Sequence, residues 1–295
     1  MERVNCALCG SRDKTPWRRI GGWVICRCTQ CGFAYLNPRP TPEELEALLT
    51  EERIGGMYGG EIEREEIAPG AVADRLAAIA PFRGGGRLLD VGCGVGSFLV
   101  AAREQGWSVV GVEVLGYPAE KARAKLGNVV HVGDILEIDL PASSFDVITL
   151  WDSLEHMRDP SAVVRRMKIL LKPDGALIVR APNCGSFDAW VYGRNWPHWS
   201  LPLHMSHFTP MTLRNLLDRN GFVVGRMETK ISTLVWSLRN LLRGRPGLAD
   251  DAVQKGKGPC PALSAVPAAR GESRSFRLIR GAFTGREVTA VARPR

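Results

Sequence analysis

No run of residues approaches the roughly 20 apolar positions that a membrane-spanning helix needs. The most apolar late segment, ISTLVWSLRNLL (231–242), is too short and carries Arg239. The opening MERVNCALCGS has no apolar stretch of the secretory type, so a cytoplasmic protein is expected. Acidic residues are outnumbered, 31 against 39 basic, and the excess is unevenly placed. From Arg243 to Arg295 there are eleven Lys/Arg and four Asp/Glu, so the rest of the chain is nearly neutral. This argues against a chain-wide nucleic-acid surface. Histidine is scarce as well: there are five, and His156, His198, His204 and His207 fall in two short stretches. With 45% apolar and 24% charged residues, the composition is that of a globular domain with a core of useful size.

Cysteine is the one reactive type that clusters at the start. Cys6 and Cys9 in CALC are separated by eighteen residues from Cys28 and Cys31 in CTQC. Two C-x2-C knuckles can aim four thiolates at one point, the tetrahedral shell that suits zinc. Residues 1–40 are too few to build a core, so the metal would supply folding energy. A filled sulfur shell leaves no open position, so the zinc is structural. Cys26 is one cysteine too many and is expected on a strand. Residues 41–86 read as a helical linker and lid. In it Thr41, Pro42 and Glu44 mark a capped helix start, and a helix is expected over about 70–80.

From Arg87 strand and helix patterns alternate. RLLDVG, SVVGVEV, VVHVGDI, FDVITLWDS and ALIVRAPN read as strands; SFLVAAREQG, YPAEKARAKLG, DPSAVVRRMKILLKPDG and FTPMTLRNLLDRNGF read as helices. Such alternation implies an α/β fold with a mostly parallel sheet and helices on both faces. FVVGRMETK and the terminal strand at 286–295 could close it as an antiparallel pair. The core is placed at 87–230, with an acceptor lid at about 184–208. Residues 231–285 read as a variable, partly disordered insertion.

The first strand runs into LLDVGCGVGSF (88–98). Gly92, Gly94 and Gly96 remove side chains around Cys93, where a ligand would approach the backbone. A dinucleotide fingerprint needs G-x-G-x-x-G; here the spacing is G-x-G-x-G. Asp90 just before it would repel a pyrophosphate but attract an ammonium or sulfonium cation. The sequence therefore favours a cationic nucleoside.

LLDVGCGVGSFL resembles the first motif of class I S-adenosylmethionine-dependent methyltransferases. The resemblance implies a Rossmann-like fold that binds S-adenosyl-L-methionine through Asp90, Gly92, Cys93, Gly94 and Gly96. Glu113 and Val114 would lie at the ribose, and Asp134 and Ile135 in GDI at the adenine. Trp151 would border the pocket. The cysteine segment followed by this core is similar to methyltransferases that tailor glycans and natural products. A small-molecule acceptor such as a sugar hydroxyl is therefore expected.

Two stretches offer acceptor chemistry, WDSLEHMRDP and NWPHWSLPLHMSHFTP. Three readings stay open: His156, His204 or His207 as a general base; a divalent ion such as Mg2+ on Asp152, Glu155, His156 and a later histidine, the less favoured reading; or purely structural histidines. Asp152, Glu155 and His156 have the spacing of one helical face. The aromatic run Trp190, Tyr192, Trp196, Trp199 and Phe208 would either stack on an acceptor or pack the lid, and Arg180 and Arg194 could meet an anionic acceptor. A nucleic-acid methyltransferase and a non-catalytic cofactor-binding module are the alternatives.

Overall fold

Alternating strand and helix from Arg87 onward builds one seven-stranded sheet in this computed structural model, which describes residues 1–49, 69–82, 86–229 and 285–295. The strands are β4 (Arg87–Val91), β5 (Ser108–Glu113), β6 (Val130–Val132), β7 (Phe145–Trp151), β8 (Leu171–Pro182), β10 (Phe222–Thr229) and β11 (Glu287–Pro294), in the order β10-β11-β8-β7-β4-β5-β6. β4 to β8 are parallel, while β11 lies antiparallel to both β8 and β10. The fold is a Rossmann-like α/β sheet. The chain first travels outward through β5 and β6, then returns to lay β7 against the other side of β4. A crevice opens at such a reversal, beyond the carboxyl ends of the two strands.

Helices α2 (Pro69–Ile79), α3 (Ser97–Glu104) and α4 (Gly116–Leu126) cover one face. Their apolar residues Ile79, Phe98, Leu99, Ala102, Ala122 and Leu126 form one core. The other face carries α5 (Pro160–Leu170) and α7 (Pro210–Arg219). Asp159 caps α5 by accepting from the Ala162 amide, and Thr209 caps α7 in a reciprocal box with Thr212. The α5 pattern had suggested a helix through Gly175. It stops at Leu170 because Pro173 cannot donate within a helix, and Leu171 already begins β8. The insertion expected at 231–285 falls almost wholly outside the described residues.

The amino-terminal segment forms β1 (Lys14–Ile20), β2 (Trp23–Cys28) and β3 (Ala34–Leu36), followed by α1 (Pro42–Leu48). Its antiparallel sheet does not end with its own strands. β9 (Ser206–His207), from the stretch after β8, pairs with β3 through Ala34–His207 and Tyr35–Ser206. Cys6, Leu8, Cys28, Phe33 and Tyr35 share a core with Val163, Leu213 and Phe208. A segment this short cannot bury enough surface alone, and here it borrows the core of the larger sheet.

Candidate active site

Asp90 is the penultimate residue of β4 and is 2% exposed. Its Oδ1 accepts from the Thr149 hydroxyl of β7 at 2.6 Å. Burial pushes its carboxyl up to about 7, against the Thr149 bond and the Arg75 charge. The chain thus holds an acid in a place that is costly for an anion unless a cation arrives. Glu113 ends β5, is also buried, and is raised by that burial. Its two oxygens accept from the amides of Gly94 (2.9 Å) and Leu115 (3.0 Å). Each carboxylate oxygen retains a second lone pair, so the group is fixed while still able to accept from a diol. Beside it Val114 is an exposed apolar side chain, 63% accessible. Asp134 turns its own loop by accepting from the Leu136 amide at 2.9 Å, with Ile135 buried beneath.

Gly92, Gly94 and Gly96 all have positive φ, at 77°, 54° and 78°. Sequence reasoning assigned their bareness to an approaching ligand. Two of them instead face protein: a Cβ on Gly92 would lie 2.6 Å from the Ser153 Cβ, and one on Gly96 would lie 2.9 Å from Leu126 Cδ1. The loop is compact because it nests into β7's exit and α4. Gly92→Ala should therefore destabilise the chain by about 2–5 kcal/mol, combining ~1–2 for the left-handed backbone with ~1–3 for overpacking. Urea unfolding checks this. Adding Ser153→Gly should recover the overpacking part alone.

Asp152 corrects a second expectation. It has φ 52° and precedes a single 3-10 turn, Leu154–His156, so it does not share a helical face with Glu155 and His156. It pairs instead with Arg180, whose Nε donates at 2.9 Å and whose terminal nitrogen donates to the same oxygen; Arg75 stands 4.0 Å away. Arg180 is thereby occupied rather than waiting for an anion, and its guanidinium lies 5.4 Å from the centre of the Trp151 ring. Trp151 is itself buried, edge-on to Phe98. Thr149, Ser153 and Arg75 escaped the sequence reading. The lone hydroxyl inside the apolar strand FDVITLW was the available signal for Thr149.

Glu155, His156 and His204 come together, with ligand-type atoms all within 4.8 Å of one another. The His156 and His204 rings meet edge to face at 4.5 Å. His204 Nδ1 lies 2.8 Å from the His198 carbonyl oxygen, which makes Nδ1 the protonated nitrogen and leaves Nε2 free. Glu155 is 1% exposed, and neither of its oxygens has a hydrogen-bond partner. Burial and the Asp152 charge push its carboxyl well above the usual range. Burial lowers His156, His204 and His207, the last to about 3. His207 stands apart from this cluster: it is 3% exposed, lies on β9 and packs edge-on against Trp199.

The aromatic run divides in two. Trp196, Trp199 and Phe208 are buried, and Trp199 meets Trp17 of β1 edge to face at 5.8 Å. They bind the lid to the amino-terminal sheet. Trp190 is exposed, with Phe187 at 5.4 Å.

In the amino-terminal segment Cys6 Sγ lies 3.5 Å from Cys31 Sγ, and Cys9 Sγ lies 3.5 Å from Cys28 Sγ. All four thiols are free and within 4.8 Å of one another. A tetrahedral thiolate shell with bonds of ~2.3 Å would set its sulfurs roughly 3.8 Å apart. The spacing therefore fits a zinc ion. Cys26 lies outside the group, with its Sγ 3.5 Å from the Asn37 carbonyl oxygen.

A glycine turn after β4, an acid ending β5 and a crevice at the sheet's reversal define the nucleoside-binding architecture of S-adenosylmethionine-dependent methyltransferases. The methyltransferase-domain family matches residues 64–225, over half of the chain, and the chain belongs to that family. It is 32% identical over 158 residues to 27-O-demethylrifamycin SV methyltransferase of Amycolatopsis mediterranei, covering 47% of this chain and 58% of that enzyme. It is 38% identical over 152 residues to nocamycin O-methyltransferase of Saccharothrix syringae, covering 48% and 53%. The chain thus spans little more than half the length of these relatives. A solved S-adenosylmethionine-dependent methyltransferase from Archaeoglobus fulgidus superposes with a TM-score of 0.54 at 21% identity, covering 80% of this chain and 99% of that one. This likeness concerns the fold. Among the described residues no helix is long and apolar enough to cross a membrane.

Proposed function

We propose that this protein methylates a hydroxyl of a small molecule, a sugar or a glycosylated natural product, using S-adenosyl-L-methionine, and that one structural zinc ion holds its amino-terminal segment. The observation that carries the reading is the Glu155–His156–His204 cluster, whose first two members lie in the turn that leaves β7, just beyond the Ser153 side chain that fills the space over Gly92. Bound S-adenosylmethionine supplies an electrophilic methyl group on a sulfonium. Asp90 favours that positive charge, Glu113 receives the ribose with Val114 beside it, and the Asp134–Ile135 turn meets the base. The two relatives named for O-methylation of rifamycin and nocamycin precursors support a hydroxyl acceptor.

His156 is the least buried member of the cluster, so it is the one that meets the acceptor and takes its proton. His204, with Nδ1 turned to the His198 carbonyl, orients it from the lid. His156→Gln should lower kcat by about 10²–10⁴-fold, the usual worth of a positioned base, while leaving donor affinity unchanged by calorimetry. Radiolabelled methyl transfer to a panel of glycosides and polyketides provides the readout. Unchanged kcat would remove His156 from this role.

A second reading rests on Glu155, whose two buried oxygens have no hydrogen-bond partner. Glu155, His156 and His204 would hold a divalent ion that polarises the acceptor oxygen. Activity that survives EDTA while the sulfur-bound zinc is retained supports the base; activity lost with EDTA and restored by Mg2+ supports the ion.

A further inference from the structure

The arginines beneath the first cysteine knuckle belong to neither the glycine turn nor the histidine cluster. A cavity of about 500 Å3 opens there, between the backbone of residues 5–10, the start of α5 and the end of α7. Four arginines line it, Arg39, Arg158, Arg165 and Arg219, against a single acidic residue in the wall, Asp159. That carboxylate is engaged: its Oδ1 accepts from the Ala162 amide at 2.9 Å. Arg39 and Arg158 share one further acid, Glu2, both reaching its Oε1, with Arg39 Nε at 2.7 Å. Arg158 also donates to the Pro40 carbonyl at 2.9 Å, and Arg39 donates to the Arg158 carbonyl. The two side chains are therefore held rigidly while carrying one charge more than Glu2 neutralises. Arg165 reaches only the Asn220 side-chain oxygen, at 3.2 Å, and Arg219 has no carboxylate partner among the described residues.

Glu43 also acts on Arg158, so counting Asp159, Glu2 and Glu43 against the four arginines leaves one uncompensated positive charge around the hollow. Like charges so arranged repel unless an anion sits among them. Guanidinium forks match tetrahedral phosphate oxygens two at a time. The hollow also exceeds what one phosphate fills and falls within the ~300–1,000 Å3 of small-molecule sites. We infer that this cavity binds the phosphate or diphosphate group of a small phosphorylated ligand, at a place separate from the methyl-donor crevice. The ligand is either a free phosphorylated metabolite or the phosphorylated end of the acceptor itself; the chemistry recognised is the same. Neither the glycine loop nor the histidine cluster enters this inference, so it stands apart from the proposed methylation.

The test uses the full chain, zinc-loaded and saturated with S-adenosylhomocysteine so that the donor crevice is closed to competitors. Inorganic pyrophosphate is titrated by calorimetry into the parent and into the double variant Arg165→Ala/Arg219→Ala. Both residues are exposed, so the fold should persist, and an unchanged thermal midpoint without ligand verifies it. Saturable binding by the parent, weakened about tenfold or more in the variant, is the expected result. If Arg219→Lys alone keeps the charge but loses part of the affinity, the fork geometry is supported as well. In separate turnover assays without S-adenosylhomocysteine, pyrophosphate that raises the KM of the methylated member of the glycoside and polyketide panel identifies the acceptor's own end as the source. Pyrophosphate that binds without touching KM identifies a separate metabolite. Equal affinity in parent and double variant, or no saturable binding by the parent, overturns the inference. So does a short RNA duplex that binds more tightly and displaces pyrophosphate, since the patch would then serve nucleic acid.

Discussion

Asp90→Asn should weaken S-adenosylmethionine binding by about 10–100-fold, the worth of one charge-assisted contact in a buried site. Asparagine keeps the shape and can still accept the Thr149 hydroxyl bond of 2.6 Å, so packing is preserved and only the charge is removed. Calorimetric titration of the donor checks the effect. A companion titration with S-adenosylhomocysteine, which lacks the sulfonium, tells which cation is felt. Equal losses assign Asp90 to the amino acid's ammonium; a loss confined to the donor assigns it to the sulfonium. Equal affinities in parent and variant would remove the electrostatic account of the glycine turn.

The same carboxyl gives the binding a pH dependence whose sign is fixed. Burial lifts Asp90 to about 7 in the free chain, and a cation beside it favours the charged form. Donor affinity should therefore be flat above about pH 7 and fall below it, toward tenfold per pH unit as proton uptake competes. The variant should lose that dependence. Stability runs the other way. A carboxyl raised from 3.8 to about 7 on folding stabilises the free chain at low pH, and this contribution is lost as pH rises through that window. Asp90→Asn should consequently match or exceed the parent's thermal midpoint at pH 8 without ligand. A site that binds less well yet folds more firmly is what stored electrostatic cost looks like.

The sheet could be read from the sequence because each strand and helix carries its own periodicity and punctuation. β-branched runs, glycines after helices and Thr-Pro starts are local signals, and β4 to β8 follow them. The antiparallel return of β10 and β11 was readable from alternating apolar residues on each side of the long insertion. Contacts between distant segments were not readable. Nothing local in FTPMTL or in AYLN says that Ser206–His207 will extend a sheet begun at Lys14. Trp196 and Trp199 look like stacking platforms until Trp17 is seen against Trp199. Asp152 has helical spacing from His156, yet Arg180, 28 residues later, draws it away and its backbone turns left-handed. Glu155, His156 and a later histidine form one group already in the sequence, but that the later one is His204 follows only from the fold, with the Met205 amide donating to the Glu155 carbonyl at 2.9 Å. Spacing in sequence finds side chains on one element; a site assembled from distant segments needs the fold.

Replacing Cys28 with Ser should cost methyl transfer far more than it costs donor binding. The four thiols lie where a zinc ion would draw them together, and small zinc-bound segments owe ~10–16 kcal/mol of apparent binding energy to their metal at neutral pH. Without it, residues 1–40 lose the reason for their two knuckles. β3 then no longer offers an ordered edge, and β3 carries β9 through the Ala34–His207 and Tyr35–Ser206 pairs. The Leu36 amide also holds the Met205 carbonyl at 2.9 Å. His204 sits one residue before Met205, so disorder in the ribbon reaches the acceptor side of the crevice directly. Asp90 and Glu113 are fixed by β7, the glycine turn and their own strands, through hydrogen bonds that do not involve the thiols. The expected outcome is zinc near one per chain in the parent and depleted in the variant. Amide exchange should quicken at residues 203–208, kcat should fall about 100-fold or more as the base loses its alignment, and S-adenosylmethionine affinity should stay within about threefold. Donor affinity lost in step with the metal would instead make the ribbon a scaffold for the entire sheet. A parent that carries no zinc after careful purification would deny it any metal role.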